Sequence, residues 1–397
     1  MNKLTMRTLP ALLLVAFSGA ASAAAFQLWE QNASGLGTAY AGSAAVADNA
    51  STIFFNPAGM SELSGYQVSV GVTGVGPSYE FRDAGSSGAT VGSGNGGDAG
   101  GWHAVPNLYL SGRLTEKLSL GLGISSPFGL ATEYDSGWIG QAQAVKSEIR
   151  TINYNPSVAY RINDKVSLGV GVNYQQIDAE LTNSVSNSVS RLKGDDSAWG
   201  WNAGALFTLS PAMRVGLSYR SSIKYTLEGT LNGSTPVKAD VELPDTAILS
   251  VWQQVSDRWE AMGDLSYTRW SSLKALNLVF SNGSSVQAER FNYSNSWRAA
   301  WGAAYKASEQ AKIKFGIAYD RTPVNDTDRS ARVPDNSRLW LSLGGQWNAG
   351  RYGKVDLGYS YLYVRDPNIN MTKNATTLRG SYDAGAHIVG LQYSVGF

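Results

Sequence analysis

Cysteine is absent from the 397 residues, which removes disulfide frameworks and thiolate metal sites together. Histidine is almost absent: only His103 and His387 occur, far apart and outside any HxH or HExxH arrangement, so no metal site and no cofactor are expected. Charge of one sign has no excess. With 32 Lys and Arg against 31 Asp and Glu, the chain carries no basic field to draw in nucleic acid, so a nucleic-acid partner is not expected. Long hydrophobic runs are missing as well. Past the first two dozen residues no stretch approaches the ~20 apolar residues of a membrane-crossing helix, which excludes a helical membrane protein.

The first residues read as an address label. Lys3 and Arg7 give a positive n-region, Leu9 to Phe17 an apolar h-region, and Ala21-Ser22-Ala23 a cleavage site, so residues 1–23 are expected to be a signal peptide and Ala24 the mature start. The apolar run is too short to span about 30 Å of hydrocarbon as an anchor.

Abundances then point one way. The chain has 44 Gly, 20 Tyr and 12 Trp, a mix of turn formers and interface aromatics. From Tyr66 onward, apolar and small or polar residues alternate in blocks of about ten residues or more, as transmembrane β-strands require. The last block is the clearest. Val389, Leu391, Tyr393, Val395 and Phe397 fall on one face, suited to lipid, while Gly390, Gln392, Ser394 and Gly396 fall on the other. Short links such as Thr115-Glu116, Asn163-Asp164-Lys165, Ser210-Pro211 and Asp257 suit the periplasmic end; residues 127–144, 183–196 and 271–292 are long and polar enough for external loops. The blocks number about fourteen, even as single-chain bacterial barrels prefer. The expected fold is therefore all-β: a closed antiparallel transmembrane barrel over residues 64–397.

Two segments break the pattern. Residues 84–101 form a Gly/Ser tract that reads as an external loop; its formal GxGxxG at Gly92, Gly94 and Gly97 lacks βαβ surroundings. Residues 24–63 are Gly- and Ala-rich and too few to bury a core alone. Their expected host is the barrel lumen, as a plug that stops water and ions leaking through.

That segment carries Ser34-Gly35-Leu36-Gly37-Thr38-Ala39-Tyr40-Ala41-Gly42 and then Asn56-Pro57-Ala58-Gly59-Met60. Further on stand Val105-Pro106-Asn107, Ser126-Pro127-Phe128-Gly129-Leu130-Ala131-Thr132-Glu133 and Trp201-Asn202-Ala203-Gly204. In these words and their order the chain resembles the FadL family of outer-membrane transporters of fatty acids and hydrocarbons, and the resemblance covers essentially the whole mature chain. The final Phe397 after an alternating block is likewise similar to the terminal signal of bacterial outer-membrane barrels.

The resemblance implies a monomeric channel in the outer membrane, among its lipid and lipopolysaccharide, for passive uptake of long-chain fatty acids or of neutral aromatic or aliphatic hydrocarbons. It implies a hatch that rearranges at Asn56, Pro57 and Ala58, where the residues alone read as a capped turn. It also implies lateral release where the third strand bends inward at Ser126, Pro127, Phe128 and Gly129, facing His103 and Ala104. On local chemistry Pro127 either kinks that strand or ends it at the rim. Phe128, Leu130, Tyr134, Trp138 and Ile139 are the expected apolar ligand contacts in the following loop, or else pack that loop on its neighbours. An inward cation for a carboxylate is not evident, since residues 166–182 hold no Lys or Arg; Arg290, Arg298 and Lys146 are the candidates. No catalytic residue is expected. A lipid-hydrolysing barrel enzyme using His103 with Ser125 or Ser126 has no local signature and would not need a plug, and a water-filled porin would not need one either.

Overall fold

A transmembrane strand succeeds only if every backbone N–H and C=O finds a partner, and the computed structural model, which describes residues 25–186 and 188–397, meets that condition by closing a ring. Among the described residues, 14 antiparallel strands form the barrel. They are β1 (Tyr66–Asp83), β2 (His103–Arg113), β3 (Leu118–Ser125, resuming at Gly129–Glu133), β4 (Lys146–Asn163), β5 (Val166–Val185), β6 (Ser188–Ser210) and β7 (Met213–Arg220, then Ile223–Leu231). The second half comprises β8 (Thr235–Leu243, then Thr246–Gln254), β9 (Trp259–Thr268, then Ala275–Phe280), β10 (Ser285–Arg290, then Ser296–Lys306), β11 (Ala311–Asp320), β12 (Arg338–Asn348), β13 (Lys354–Val364) and β14 (Thr376–Gly396). Each pairs with the next, and β1 pairs with β14 from Gln67↔Gly396 to Asp83↔Gly380, so the sheet has no free edges at membrane depth apart from the break in β3. The signal peptide expected at residues 1–23 lies outside the described residues.

The two faces separate as the period-two pattern predicts. On β14, Leu391 is 51% exposed on the outside while Gln392 is fully buried on the inside. Aromatics gather where hydrocarbon meets water: Tyr154, Tyr174 and Trp199 toward the extracellular end, and Tyr66 stacked on Phe397 with Trp259 on Tyr305 at the other end. The short links close as side-chain-capped turns, Thr115 Oγ1 accepting from Leu118 N at 3.0 Å and Asn163 Oδ1 from Val166 N at 3.0 Å.

The outer parts differ from the sequence reading. Residues 183–196 and much of 271–292 are not open loops: β5 and β6 stay paired to Val185↔Ser188, and Ala275–Phe280 pairs with Ser285–Arg290. Their polar composition reflects a sheet that rises above the membrane with both faces near water, so polarity there marked height rather than loss of strand structure.

Residues 25–65 are almost wholly buried. They hold short turns of helix, Leu36–Thr38, Thr52–Phe55 and Pro57–Glu62, and otherwise run irregularly. Their neighbours come from around the ring: Ala58 abuts Gly169, Asn56 Gly204, Ala44 Gly216, Thr38 both Gly302 and Gly316, and Leu36 Gly358. A segment touching β5, β6, β7, β10, β11 and β13 at once can only lie inside them. At these inward glycines the backbone or side chains of the plug approach so closely that a Cβ would overlap them; one added at Gly302 would sit 2.9 Å from Thr38 Cβ. Replacing both Gly302 and Gly316 by Val overpacks this seat by an amount on the order of 1–3 kcal/mol per site. The expected outcome is a barrel that still shows heat-modifiable gel mobility but conducts ions in planar bilayers well above wild type; an unchanged conductance would show that the segment does not seal the bore.

Candidate functional site

Between β2 and β4 the ladder breaks. β2 and β3 pair only from Arg113↔Ser119 to Leu108↔Ile124, so the edge from His103 to Asn107 is left without a partner on that side. Pro127 has no N–H to give. The chain turns inward over residues 126–128 and resumes against β4 at Gly129↔Arg150. Inside, the start of the plug completes the interrupted ladder: Leu28 N donates to Pro127 O at 2.8 Å and Gly129 N to Phe26 O at 2.8 Å. Gln31 Nε2 reaches Ser126 O at 2.8 Å, and Thr151 Oγ1 accepts from Phe128 N at 3.0 Å. Outside the inward bend is a cavity of about 370 Å³ lined by Trp102, His103, Thr132, Glu133, Lys146, Ser147, Glu148 and Arg150. The structure thus brings Ser126, Pro127, Phe128 and Gly129 together with the plug, and leaves His103 and Ala104 on the opposite edge of the gap.

Asn56, Pro57 and Ala58 form a fastened turn. Asn56 Oδ1 accepts from Ala58 N at 3.0 Å, capping Pro57–Glu62, while its Nδ2 donates to Ala44 O at 2.8 Å and to Ala205 O on β6 at 3.0 Å. One fully buried amide therefore ties two parts of the plug to the wall.

The five aromatic and aliphatic residues read after Pro127 divide into two groups. Phe128 and Leu130 join Phe26, Ile177, Leu243, Trp270 and Leu273 in an apolar cluster, with Phe26 against Trp270 at a centroid distance of 4.9 Å. Tyr134, Trp138 and Ile139 pack instead with Phe81, Leu378 and Tyr382, and the Tyr134 and Trp138 rings stack at 4.0 Å. Burial holds the Tyr134 phenol well above its ordinary pKa, so it stays protonated and donates to Ala331 O at 2.6 Å.

Of the first group, Leu130 lines an apolar pocket with Phe26, Ile149, Ile177, Leu227, Leu243 and Leu273, whose only charged lining groups are Glu289 and Arg332, while Phe128 packs behind it against Phe26. Arg332 Nε donates to Glu289 Oε1 at 2.5 Å, and Lys373 Nζ to the same oxygen at 2.6 Å. Two cations therefore share one carboxylate. Burial pulls the Lys373 ammonium down from its ordinary pKa, and Glu289 opposes that pull.

Arg332 was not foreseen; the Asp- and Arg-rich run 326–338 was the signal available in the sequence. Of the cations that were considered, Arg290 pairs with Asp328 at 3.0 Å. Arg298 donates to Ala39 O at 2.7 Å over the rings of Trp29 and Trp340. Lys146 lies on the outer side of β4, 2.8 Å from Glu148.

Comparison with known proteins follows this geometry. The family described as outer membrane protein transport protein (OMPP1/FadL/TodX) matches residues 14–397. Outer membrane protein P1 of Haemophilus influenzae is 34% identical over the full length of both chains, and the long-chain fatty acid transport protein of Escherichia coli K12 is 28% identical over 93% of this chain and 95% of its own. Among solved structures, a Pseudomonas aeruginosa FadL homologue superposes with a TM-score of 0.89 at 24% identity, covering 94% of this chain and all of that one. The Pseudomonas putida toluene transporter TodX gives 0.71 at 16% identity, covering 92% of this chain and 98% of that one. A closed barrel with a filled bore, together with full-length likeness, makes this chain a member of the OMPP1/FadL/TodX family of outer-membrane transport proteins.

Proposed function

We propose that the protein takes up long-chain fatty acids or similar hydrophobic molecules passively, as a monomer set in outer-membrane lipid and lipopolysaccharide, without catalysing a reaction on them. The observation that carries this reading is the apolar pocket inside a sealed bore, with Arg332 at one end. An alkyl chain moving from water into such a pocket gains about 0.8 kcal/mol per CH₂. Its carboxylate needs a charged partner to be buried, and Arg332, whose Nε and Nη1 are engaged by the protein, has Nη2 to offer one. The E. coli relative, named for long-chain fatty acid transport, supports the acid as substrate.

Release is read as sideways, through the gap between His103–Ala104 and the bend at Ser126–Gly129. Phe26 lines the pocket, and its carbonyl is bonded to Gly129 N beside that bend. A ligand that pushes Phe26 aside therefore loosens the strand beside the gap, and the Asn56-Pro57-Ala58 turn limits how far the plug follows. Phe128 and Leu130 serve as ligand contacts in this scheme; Tyr134, Trp138 and Ile139 pack the outer loop against Phe81, Leu378 and Tyr382 instead.

Neutral hydrocarbons form the second reading, because Arg332 is already bonded to Glu289 and the rest of the pocket wall is apolar. Mass spectrometry of the apolar molecule retained after mild detergent extraction separates the two. Arg332→Gln is expected to weaken fatty-acid binding about tenfold, equivalent to the ~1.4 kcal/mol of one charge-assisted contact, and to leave the methyl ester unaffected; equal losses would remove Arg332 from the head-group role. Asn56→Ala is expected to speed amide hydrogen exchange of residues 44–62 at least tenfold with the barrel strands unchanged, since it breaks a cap, one bond within the plug and one to the wall. Exchange as slow as in wild type would show that the turn does not restrain the plug.

A further inference from the structure

The two ends of the β3 gap share a feature that concerns the head of the ligand rather than its tail. Along β4 the side chains alternate: Ser147, Ile149 and Thr151 face the bore, while Lys146, Glu148 and Arg150 face outward. Lys146 and Arg150 both pair with Glu148, the first at 2.8 Å, and their side chains remain 32% and 44% exposed. Lys146 also lies 4.0 Å from Glu180, and Glu133 stands across from it, so the donors left over by these two cations are mainly those of the Arg150 guanidinium. Both line the 370 Å³ cavity outside the bend, together with Trp102, His103 and Glu133.

This outer cation pair stands back to back with the inner one. Arg332 Nη1 donates to Lys146 O at 3.0 Å and to Ser147 Oγ at 3.1 Å, and Thr132 Oγ1 donates to Arg332 O at 3.1 Å. Thr132, Ser147 and Lys146 are themselves walls of the outer cavity. Only the thickness of the β3–β4 wall separates Arg332 from Lys146.

Height fits as well. One outward residue, Ile152, separates Arg150 from Tyr154 of the extracellular aromatic girdle, which puts Arg150 about 13 Å along the strand above that ring, at head-group level, and Lys146 about 26 Å above it. Below the gap the outer wall is apolar, with Leu110 and Leu120 exposed on β2 and β3.

Resting on the uptake reading above, we infer that Lys146 and Arg150 form a second, outer station for the carboxylate of a departing acid, so that the head passes from Arg332 over the β4 rim while the tail swings down through the gap into the outer leaflet. The acid then leaves tail-first, and its charge stays within reach of a cation throughout. A neutral molecule of the same length does not use this station.

The test uses the full chain with Lys146→Gln, Glu148→Gln and Arg150→Gln together, which removes the cluster without stranding one charge. Folding is checked by heat-modifiable gel mobility. Binding of palmitate and methyl palmitate is measured on detergent-solubilised protein, and uptake of each on proteoliposomes with and without lipopolysaccharide. The expected result is unchanged binding, palmitate uptake lowered about tenfold, and methyl palmitate uptake within twofold of wild type in both kinds of vesicle. Acid and ester uptake falling together, or neither falling, overturns the outer station. A loss confined to lipopolysaccharide vesicles also overturns it, assigning the cations to lipid phosphate. Wild-type protein that binds neither palmitate nor its ester overturns the uptake reading, and the outer station with it.

Discussion

Hydrocarbon offers a backbone no hydrogen bonds, so each peptide group in a spanning strand must be paired within the protein. Closure of β1 onto β14 satisfies this for the ring, and among the described residues the break in β3 is where the ladder between two neighbouring strands opens. At Pro127 the ladder is broken, and the structure repairs the break not with a neighbouring strand but with Phe26 and Leu28 of the plug. The same few hydrogen bonds therefore hold the plug and shape the wall, so the bend in β3 and the position of the plug depend on one another.

The plug is held by shape more than by a core of its own. Its helical turns are too short to be stable alone, and its apolar side chains reach outward to Val75, Val105, Trp340 and Ile388 of the wall. Inward glycines on at least six strands allow backbone to lie against backbone, and polar side chains tie down what remains: Asn56 to Ala205 O, Lys314 to Ser34 O at 2.8 Å, Gln392 to Ala33 N. Contacts distributed in this way hold the segment unevenly along its length. The start, at Phe26, rests on a few ladder bonds and an aromatic cluster, whereas the middle is pinned by buried amides and a buried Lys314–Asp356 pair.

Much of this was legible from the residues because a barrel writes its pattern at period two over its whole length. The face assignments of β14, the turns at Thr115 and Asn163 and the presence of a non-strand segment before Tyr66 all follow from local sequence. Strand length above the membrane did not follow, since polarity on both faces looks like a loop until the partner strand is known. Arg332 escaped for a different reason. It sits in a stretch, 321–337, with no regular structure, and only long-range contacts to Glu289, Ser147 and Thr182 carry its side chain to the pocket. Likewise Tyr134 and Trp138 are near Leu130 in sequence but turn to a different cluster, because residues 134–144 fold under the β14 extension rather than over the pocket.

Passive transfer requires that no stage hold the ligand too firmly. A tail in the apolar pocket and a tail in the bilayer lose similar amounts of contact with water, so the hydrophobic term that favours capture does little to oppose release. The head group sets the barrier instead, because moving a carboxylate through an apolar gap without a partner costs several kcal/mol. Glu289 bears on this directly. By sharing Arg332 with any incoming carboxylate it keeps the empty site from carrying an unpaired buried cation, and it weakens the grip on the bound head by offering Arg332 a partner when the ligand leaves. Lys373, bonded to the same Glu289 oxygen, keeps that carboxylate partnered while the ligand occupies Arg332. On the uptake reading proposed above, the pocket thus has one arrangement of its charges with cargo and one without, and Glu289 has a cation to pair with in each.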